Sequence, residues 1–286
     1  VWSVAFSPDS REIAIGGDDM AVQVWYTSPQ VALGQRLIDH QEWVLAVDVH
    51  PQNTLIASGG GTDSDFVIRV WDAQGGTLLH ALDEHAAQIT DMRFNDAGTL
   101  LVSADSDGII TIWDTNTFEL SGVIEAEDGV FSLALSGSIL AVGDNDGHIT
   151  LWDISGSPEA WSPIGEPLQA HATRVSSLTF NNSGHTLISG AREGIRLWNV
   201  ESRAQIGDLI DGHTDTVETL TFHPDGDIFA SGSRDTTIRL WDVNTQEAVS
   251  EPLTGHENWV LDIAFSPDGR TLASASIDRR VIVWAV

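Results

Sequence analysis

The sequence predicts an all-β protein, a seven-bladed β-propeller of four-stranded antiparallel blades, and three observations carry that prediction. Tryptophan recurs at Trp25, Trp71, Trp113, Trp152, Trp198, Trp241 and Trp284, at intervals of 46, 42, 39, 46, 43 and 43 residues. That period is about the 40 to 45 residues of a four-stranded propeller blade and too long for ankyrin or tetratricopeptide units. The intervals are filled with short alternating apolar and β-branched runs broken by turn signals, and none sustains a 3.6-residue period, so helix is expected to be almost absent. Seven such units fill the 286-residue chain, so a single propeller over residues 1–286 is expected. A four-stranded sheet cannot bury both faces alone, and a ring of neighbours solves that problem.

Unit six shows the elements most plainly. It reads as strand VETLTF, turn HPDG, strand IFASG, turn SRDT, strand TIRLW and a less regular fourth strand AVSEPL. Four polar positions recur with it. An Asp stands six residues before the repeated Trp at Asp19, Asp65, Asp107, Asp146, Asp235 and Asp278. A His stands 28 residues before Trp113, Trp241 and Trp284, as His85, His213 and His256, while His40 and His171 match after an insertion in unit two and a deletion in unit five. Ser58, Ser103, Ser189, Ser231 and Ser274 occupy one strand position in their units.

Taken in order, the units depart from this pattern in readable ways. Unit one begins too late to contain its His and has Ile15 for Ser. Unit two lengthens its hairpin with SGGGTDSD, which lacks the following Lys and helix of a phosphate cradle. Unit four has Glu125-Ala126 where Gly-His belongs and Val142 for Ser, which leaves Asp146 and Trp152. Unit five places Glu193 after a shortened turn and turns Trp-Asp into Trp198-Asn199. Unit seven stops two residues after Trp284 and is expected to lack its outer strand.

Gly-His, about 27 residues, then Trp-Asp resembles the signature of the WD-repeat (WD40) family, and the resemblance covers essentially the whole chain. It implies blades whose first three strands lie inward and whose fourth lies on the rim. It also implies that His40, Ser58, Asp65 and Trp71; His85, Ser103, Asp107 and Trp113; His171, Ser189 and Trp198; His213, Ser231, Asp235 and Trp241; and His256, Ser274, Asp278 and Trp284 form hydrogen-bonded networks inside their blades. In that family an N-terminal strand usually completes the last blade. The opening VWSVAFSPDS has neither Met nor a leader pattern, so residues before Val1 are expected to supply it.

Ser, His and Asp in one unit could instead suggest nucleophilic catalysis. One hydrolase needs one triad beside one oxyanion hole, whereas this set recurs in five units, each with an indole N–H that needs an acceptor. No enzyme is expected. DSDG at 105–108 and DNDG at 144–147 begin like calcium loops but lack the bidentate Glu at the twelfth position, and Asp-Gly suits a hairpin. His50 and His223 precede Pro in equivalent surface turns without neighbouring ligands. No metal or cofactor is expected.

With 13 Arg, no Lys and 42 acidic residues, the formal charge is −29, which argues against nucleic acid. The surplus of carboxylates suits solubility, a salty interior, or a basic partner drawn electrostatically. Absence of Cys excludes disulfides, thiolate nucleophiles and Cys-based metal sites. No apolar run approaches the ~18 residues that span a bilayer, so no membrane partner and a cytoplasmic location are expected.

Trp43 and Trp259 each stand three residues after their His, at the entrance to the innermost strand, and Trp2 stands two positions further along its unit. Units seven, one and two adjoin in a ring, so these three indoles are expected to form one aromatic patch flanked by Glu42, Glu257 and Asp262. That patch would take a protein or peptide with apolar anchors and Lys or Arg around them. The expected function is a non-catalytic interaction scaffold. Short regular repeats also resemble those appended to bacterial signalling ATPases, kinases and proteases, which makes a sensor or autoinhibitory domain the alternative. A propeller enzyme or carbohydrate binder is the alternative of another class.

Overall fold

A computed structural model describes residues 1–27 and 32–286. Seven antiparallel sheets follow one another around a ring, and their innermost strands Ser3–Phe6, Val44–Val49, Ile89–Phe94, Val130–Ser136, Ser177–Phe180, Val217–Phe222 and Val260–Phe265 line a central channel. The only helical element among the described residues is a 3₁₀ turn at Pro158–Ala160.

Local chemistry explains the strand pattern. Second strands such as Leu55–Gly60 and Ile228–Ser233 are buried along almost their whole length and rich in Ala, Ser and Gly, because neighbouring blades press on both faces. A Cβ on Gly232 would lie 2.7 Å from Val260 Cγ1 of the next blade, and Gly16, Gly143 and Gly190 meet Val44, Val175 and Val217 in the same way. Each repeated Trp packs against the preceding blade: Trp71 joins Val22, Val24 and Leu37, and Trp241 joins Ile188, Ile195 and Leu197. After that Trp, Asp72, Asp114, Asp153 and Asp242 each accept a backbone N–H of the following turn, and Asn199 does the same in blade five.

Outer strands differ more than the sequence predicts. Blades one, two, three and five carry full fourth strands. In blade four the fourth strand is split into Ser162–Pro163 and Leu168–Gln169, both pairing with His148–Asp153. Pro163 and Pro167 lack the N–H a ladder needs. In blade six it is reduced to two bridges, Ile238↔Leu253 and Trp241↔Ala248, around Pro252. Blade seven has three strands, Val260–Phe265, Thr271–Ser276 and Val281–Ala285.

The ring closes between blades seven and one. Val4, Phe6, Ile13 and Ile15 pack against Ala273 and Ala275, and the Val1 amino group donates to Ser276 O at 3.1 Å. Innermost strands are sheet edges whose N–H groups need acceptors, and side chains of the preceding blade supply them. Ser3 Oγ accepts Val47 N–H at 3.2 Å, Asp48 Oδ2 accepts Phe94 N–H at 2.7 Å and Asp91 Oδ2 accepts Leu133 N–H at 2.8 Å. Asp262 Oδ2 accepts Val4 N–H and Ser3 Oγ–H, both at 2.9 Å, across the closing seam.

Three carboxylates thus face one guanidinium, Arg93, in the channel wall. Burial pushes the Asp48 carboxyl up to about 6, against the pull of Arg93 and the N–H groups of Phe94 and Val49. An unfolded Asp titrates near 3.9. Between about pH 4 and 6 the folded chain therefore holds the Asp48 proton more tightly than the unfolded chain does. This group contributes stability that is fully present below the unfolded value and lost as pH rises through about 6. Carboxyl carbon NMR of Asp48 is expected to show a midpoint near pH 6; a midpoint near 4 would mean that the wall is not desolvated.

Candidate functional site

The repeated polar residues come together inside the blades. In blade six Trp241 Nε1 donates to Ser231 Oγ at 2.8 Å, Ser231 lies 2.7 Å from His213 Nε2, and His213 Nδ1 lies 2.8 Å from Asp235 Oδ2. An ionised carboxylate only accepts, so His213 carries its proton on Nδ1 and takes the serine proton at Nε2. Every donor from Trp241 to Asp235 then has an acceptor, and the serine is no free nucleophile. Blade seven repeats the arrangement through Trp284, Ser274, His256 and Asp278 at 2.9, 2.7 and 2.8 Å.

Blade three corrects one assignment. His85 Nδ1 lies 2.8 Å from Asp105 Oδ2, not from Asp107, which is solvent-exposed and only donates its N–H to Asp105 Oδ1 at 3.0 Å. Asp105 ends the second strand with its side chain buried, where blades six and seven have Ser233 and Ser276. One Oδ caps the turn, the other receives the histidine, and the residue six before Trp113 is left outside. Trp113 reaches the network through Thr111 Oγ1 at 2.9 Å, which lies 2.6 Å from Ser103 Oγ. Blade four follows the same rule. Asp144 accepts from His148 Nδ1 at 3.2 Å and from the N–H of Asp146 at 3.0 Å, while Asp146 is exposed. Without His and Ser, Val142 and Trp152 there line a cavity of about 620 Å³ with His148, Thr150, Pro163 and Pro167.

Blades one, two and five solve the same problem differently. In blade one Gln23 accepts from Trp25 Nε1 at 3.0 Å and donates to Asp19 at 2.8 Å. In blade five the shortened hairpin is spanned by the longer Glu193, whose Oε1 lies 3.2 Å from His171 Nδ1. His171 Nε2 and Trp198 Nε1 meet Ser189 Oγ at 2.8 and 2.9 Å. In blade two Arg69 inserts between His40 and Asp65, with Nη1 2.9 Å from His40 Nδ1 and 2.9 Å from Asp65 Oδ1. A guanidinium cannot accept, so His40 Nδ1 must. Burial and Arg69 also hold its pKa down. His40 is therefore the opposite tautomer, with Nε2–H donating to Ser58 Oγ at 2.7 Å beside Trp71 Nε1 at 2.8 Å.

His50 and His223 are structural as well, with Nε2 donating to Gly98 O at 2.8 Å and Gly269 O at 3.0 Å in the next blade. His50 is buried rather than at the surface. No group of three metal-ligating side chains occurs among the described residues, and no helix of them is long and apolar enough to cross a membrane.

Trp2, Trp43 and Trp259 do share one place, the mouth of the channel, around a cavity of about 410 Å³ whose wall includes Phe131, Arg174, Glu218 and Arg234. Trp2 and Trp43 stack with centroids 5.5 Å apart and planes at 21°, and Trp43 and Trp259 are 40% and 38% exposed. The acidic flanks are corrected. Asp262 is turned into the channel wall at the ring seam, because Val4 N–H and Ser3 Oγ–H need its oxygen there. Glu42 closes the long hairpin of blade two by accepting from Thr62 Oγ1, Asp63 N–H and Ser64 Oγ at 2.6, 2.8 and 3.0 Å. These donors hold its carboxyl well below the usual range. Glu257 is exposed and meets Arg280 at 3.1 Å.

The sequence reading missed Phe131, Arg174, Glu218 and Arg234. Two of these carried a signal: Arg174 stands three residues after His171, as Trp43 and Trp259 stand after theirs, and Glu218 stands at the offset of Trp2.

Fold and site together define a closed propeller with repeated polar networks inside its blades and an aromatic cup at the channel mouth. A family model described as "WD domain, G-beta repeat" matches seven times, at residues 1–26, 32–72, 76–114, 118–153, 161–199, 205–242 and 247–285. The chain belongs to the WD-repeat family. It is 29% identical over 216 residues to telomerase protein component 1 of Rattus norvegicus, covering 71% of this chain and 8% of that protein. It is 32% identical over 114 residues to transcription initiation factor TFIID subunit 5 of Caenorhabditis elegans, 40% of this chain and 17% of that one. With eukaryotic translation initiation factor 3 subunit I of Bombyx mori it shares 41% over 66 residues, 23% and 20% of the two chains. The matches thus span a fifth or less of these relatives' lengths.

Proposed function

We propose that this propeller is a non-catalytic platform for protein partners, and that partners dock at the channel mouth through Trp2, Trp43 and Trp259. The observation that carries this reading is the aromatic cup itself: a stacked indole pair and a third, partly exposed indole at one rim. Large aromatic side chains left open in a concave mouth are the common anchors of interfaces. Two of the relatives are, by name, subunits of two different initiation factors, one of transcription and one of translation, which supports a place in an assembly. Against catalysis stand the five serines of the networks, all fully buried and each within hydrogen-bond distance of its histidine.

The test is a displayed peptide library selected on the wild-type chain. Selected peptides are expected to lose at least about tenfold in affinity on Trp43→Ala or Trp259→Ala, since an interface anchor contributes about 2 kcal/mol or more, with melting temperature preserved. Peptides that bind both variants as tightly as wild type would place docking elsewhere.

A further inference from the structure

We infer that the mouth reads an acidic segment: a carboxylate of the partner sits across Arg174 and Arg234 while an adjacent apolar side chain enters the indole cup. The inference rests on the mouth being the docking surface and adds the chemistry of what docks there. It reverses the basic partner that the net charge of −29 suggests.

The two arginines come from different blades and converge on one anchor. Glu218 has a side chain only 8% exposed and accepts Arg174 Nη2 at 3.1 Å; Arg234 Nε donates to its other oxygen, Oε1. Each guanidinium also lies over a ring, Arg174 over Phe131 at 4.9 Å and Arg234 over Trp259 at 4.2 Å. Two such restraints hold each fork in place, so little side-chain freedom is left to lose on binding.

Donors remain. Arg234 Nη1 and Nη2 and Arg174 Nε and Nη1 make no hydrogen bond among the described residues, and the two side chains are 27% and 33% exposed. They stand on the saddle between the indole cup and a second depression of about 420 Å³, which also holds Arg192 and Asp215. A chain crossing that saddle can place an apolar group in the cup and an oxyanion on the forks at once.

Charge counting selects a monoanion. Arg174, Arg192 and Arg234 against Glu218 and Asp215 leave a single positive charge, which one carboxylate balances. A dianionic phosphate would leave an excess negative charge on an already acidic molecule. The carboxylates expected to attract a basic partner do not compete here, since Asp262 lies in the wall, Glu42 is tied to its loop and Glu257 faces Arg280. More distant acids are screened beyond about 8 Å at physiological salt.

The experiment uses the full chain and four fluorescein-labelled peptides that share one Leu-Phe anchor and differ beside it: Glu, Gln, Lys or phosphoserine. Anisotropy is expected to show the Glu peptide at least about tenfold tighter than the Gln peptide, the Lys peptide weakest, and phosphoserine no tighter than Glu. Arg174→Gln with Arg234→Gln should abolish the Glu-over-Gln preference. Arg174→Lys keeps a cation beside Glu218 but loses the fork, so it controls for loss of folding and should show an intermediate preference. Trp43→Ala should weaken Glu and Gln peptides alike. A Lys peptide as tight as the Glu peptide, a preference that survives the double variant, tighter binding of phosphoserine, or no binding by any peptide would overturn the inference. Peptides that bind but ignore Trp43→Ala and Trp259→Ala would instead sink the docking site, which keeps the two failures apart.

Discussion

Asp105→Ala is expected to lower the stability of this protein by about 3 kcal/mol, and Asp107→Ala by no more than about 0.5 kcal/mol, although only Asp107 stands at the repeat position. Asp105 is fully buried and serves three donors: His85 Nδ1 at 2.8 Å, Asp107 N–H at 3.0 Å and Ile109 N–H at 2.9 Å. Its removal leaves a buried imidazole N–H without an acceptor and uncaps the hairpin. Asp107 makes no side-chain hydrogen bond among the described residues. The pH dependence has a definite sign. Burial works to raise the Asp105 carboxyl, but the bonds from His85, Ile109 and Asp107 outweigh it and hold it below the ordinary value. Its stabilisation is therefore present above about pH 4 and lost as pH falls through the folded value. Denaturant midpoints of the two variants at pH 7 and pH 3.5 check this. Equal midpoints at pH 7 would refute the reassignment. In blade six, where Ser233 stands at the Asp105 position, Asp235→Ala should behave as Asp105→Ala does.

Arg69→Met should be costlier still, on the order of 3 to 5 kcal/mol, because it breaks a buried ion pair and leaves one charge behind. Arg69 Nε meets Asp39 Oδ2 at 2.6 Å and Nη1 meets Asp65 at 2.9 and 3.1 Å. The Asp65 and His40 side chains are 5% and 1% exposed. Removal also frees His40 Nδ1 from its donor. It can then turn its proton toward Asp65, which lies 3.5 Å away, and take the tautomer of the other blades. Nitrogen-15 spectra should therefore show His40 protonated at Nε2 in the wild type, with His85, His213 and His256 protonated at Nδ1. In the variant His40 should join them. A wild-type His40 protonated at Nδ1 would contradict the blade-two geometry.

Much of this was legible in the sequence because a propeller repeats locally. Each blade is one unit of strand, turn and Trp, so counting units yields seven blades, and fixed offsets from Trp241 or Trp284 find the His, Ser and Asp that meet inside blades six and seven. Ring adjacency follows from counting as well, so the three indoles of the mouth could be grouped although Trp2 and Trp259 are far apart in the chain. The rest depends on distances that no offset contains. Two aspartates share the blade-three hairpin, and only the reach of His85 decides between them. Asp262 stands near Trp259 in sequence, yet strand alternation turns it into the channel wall, where the seam needs an acceptor. Arg174, Glu218 and Arg234 belong to two units, and their convergence on one saddle exists only once neighbouring blades have packed. Periodic hydrophobicity and turn chemistry are local and determine the architecture; hydrogen bonds and charges are settled by competition among partners at a few ångströms, and folding alone brings those partners within reach.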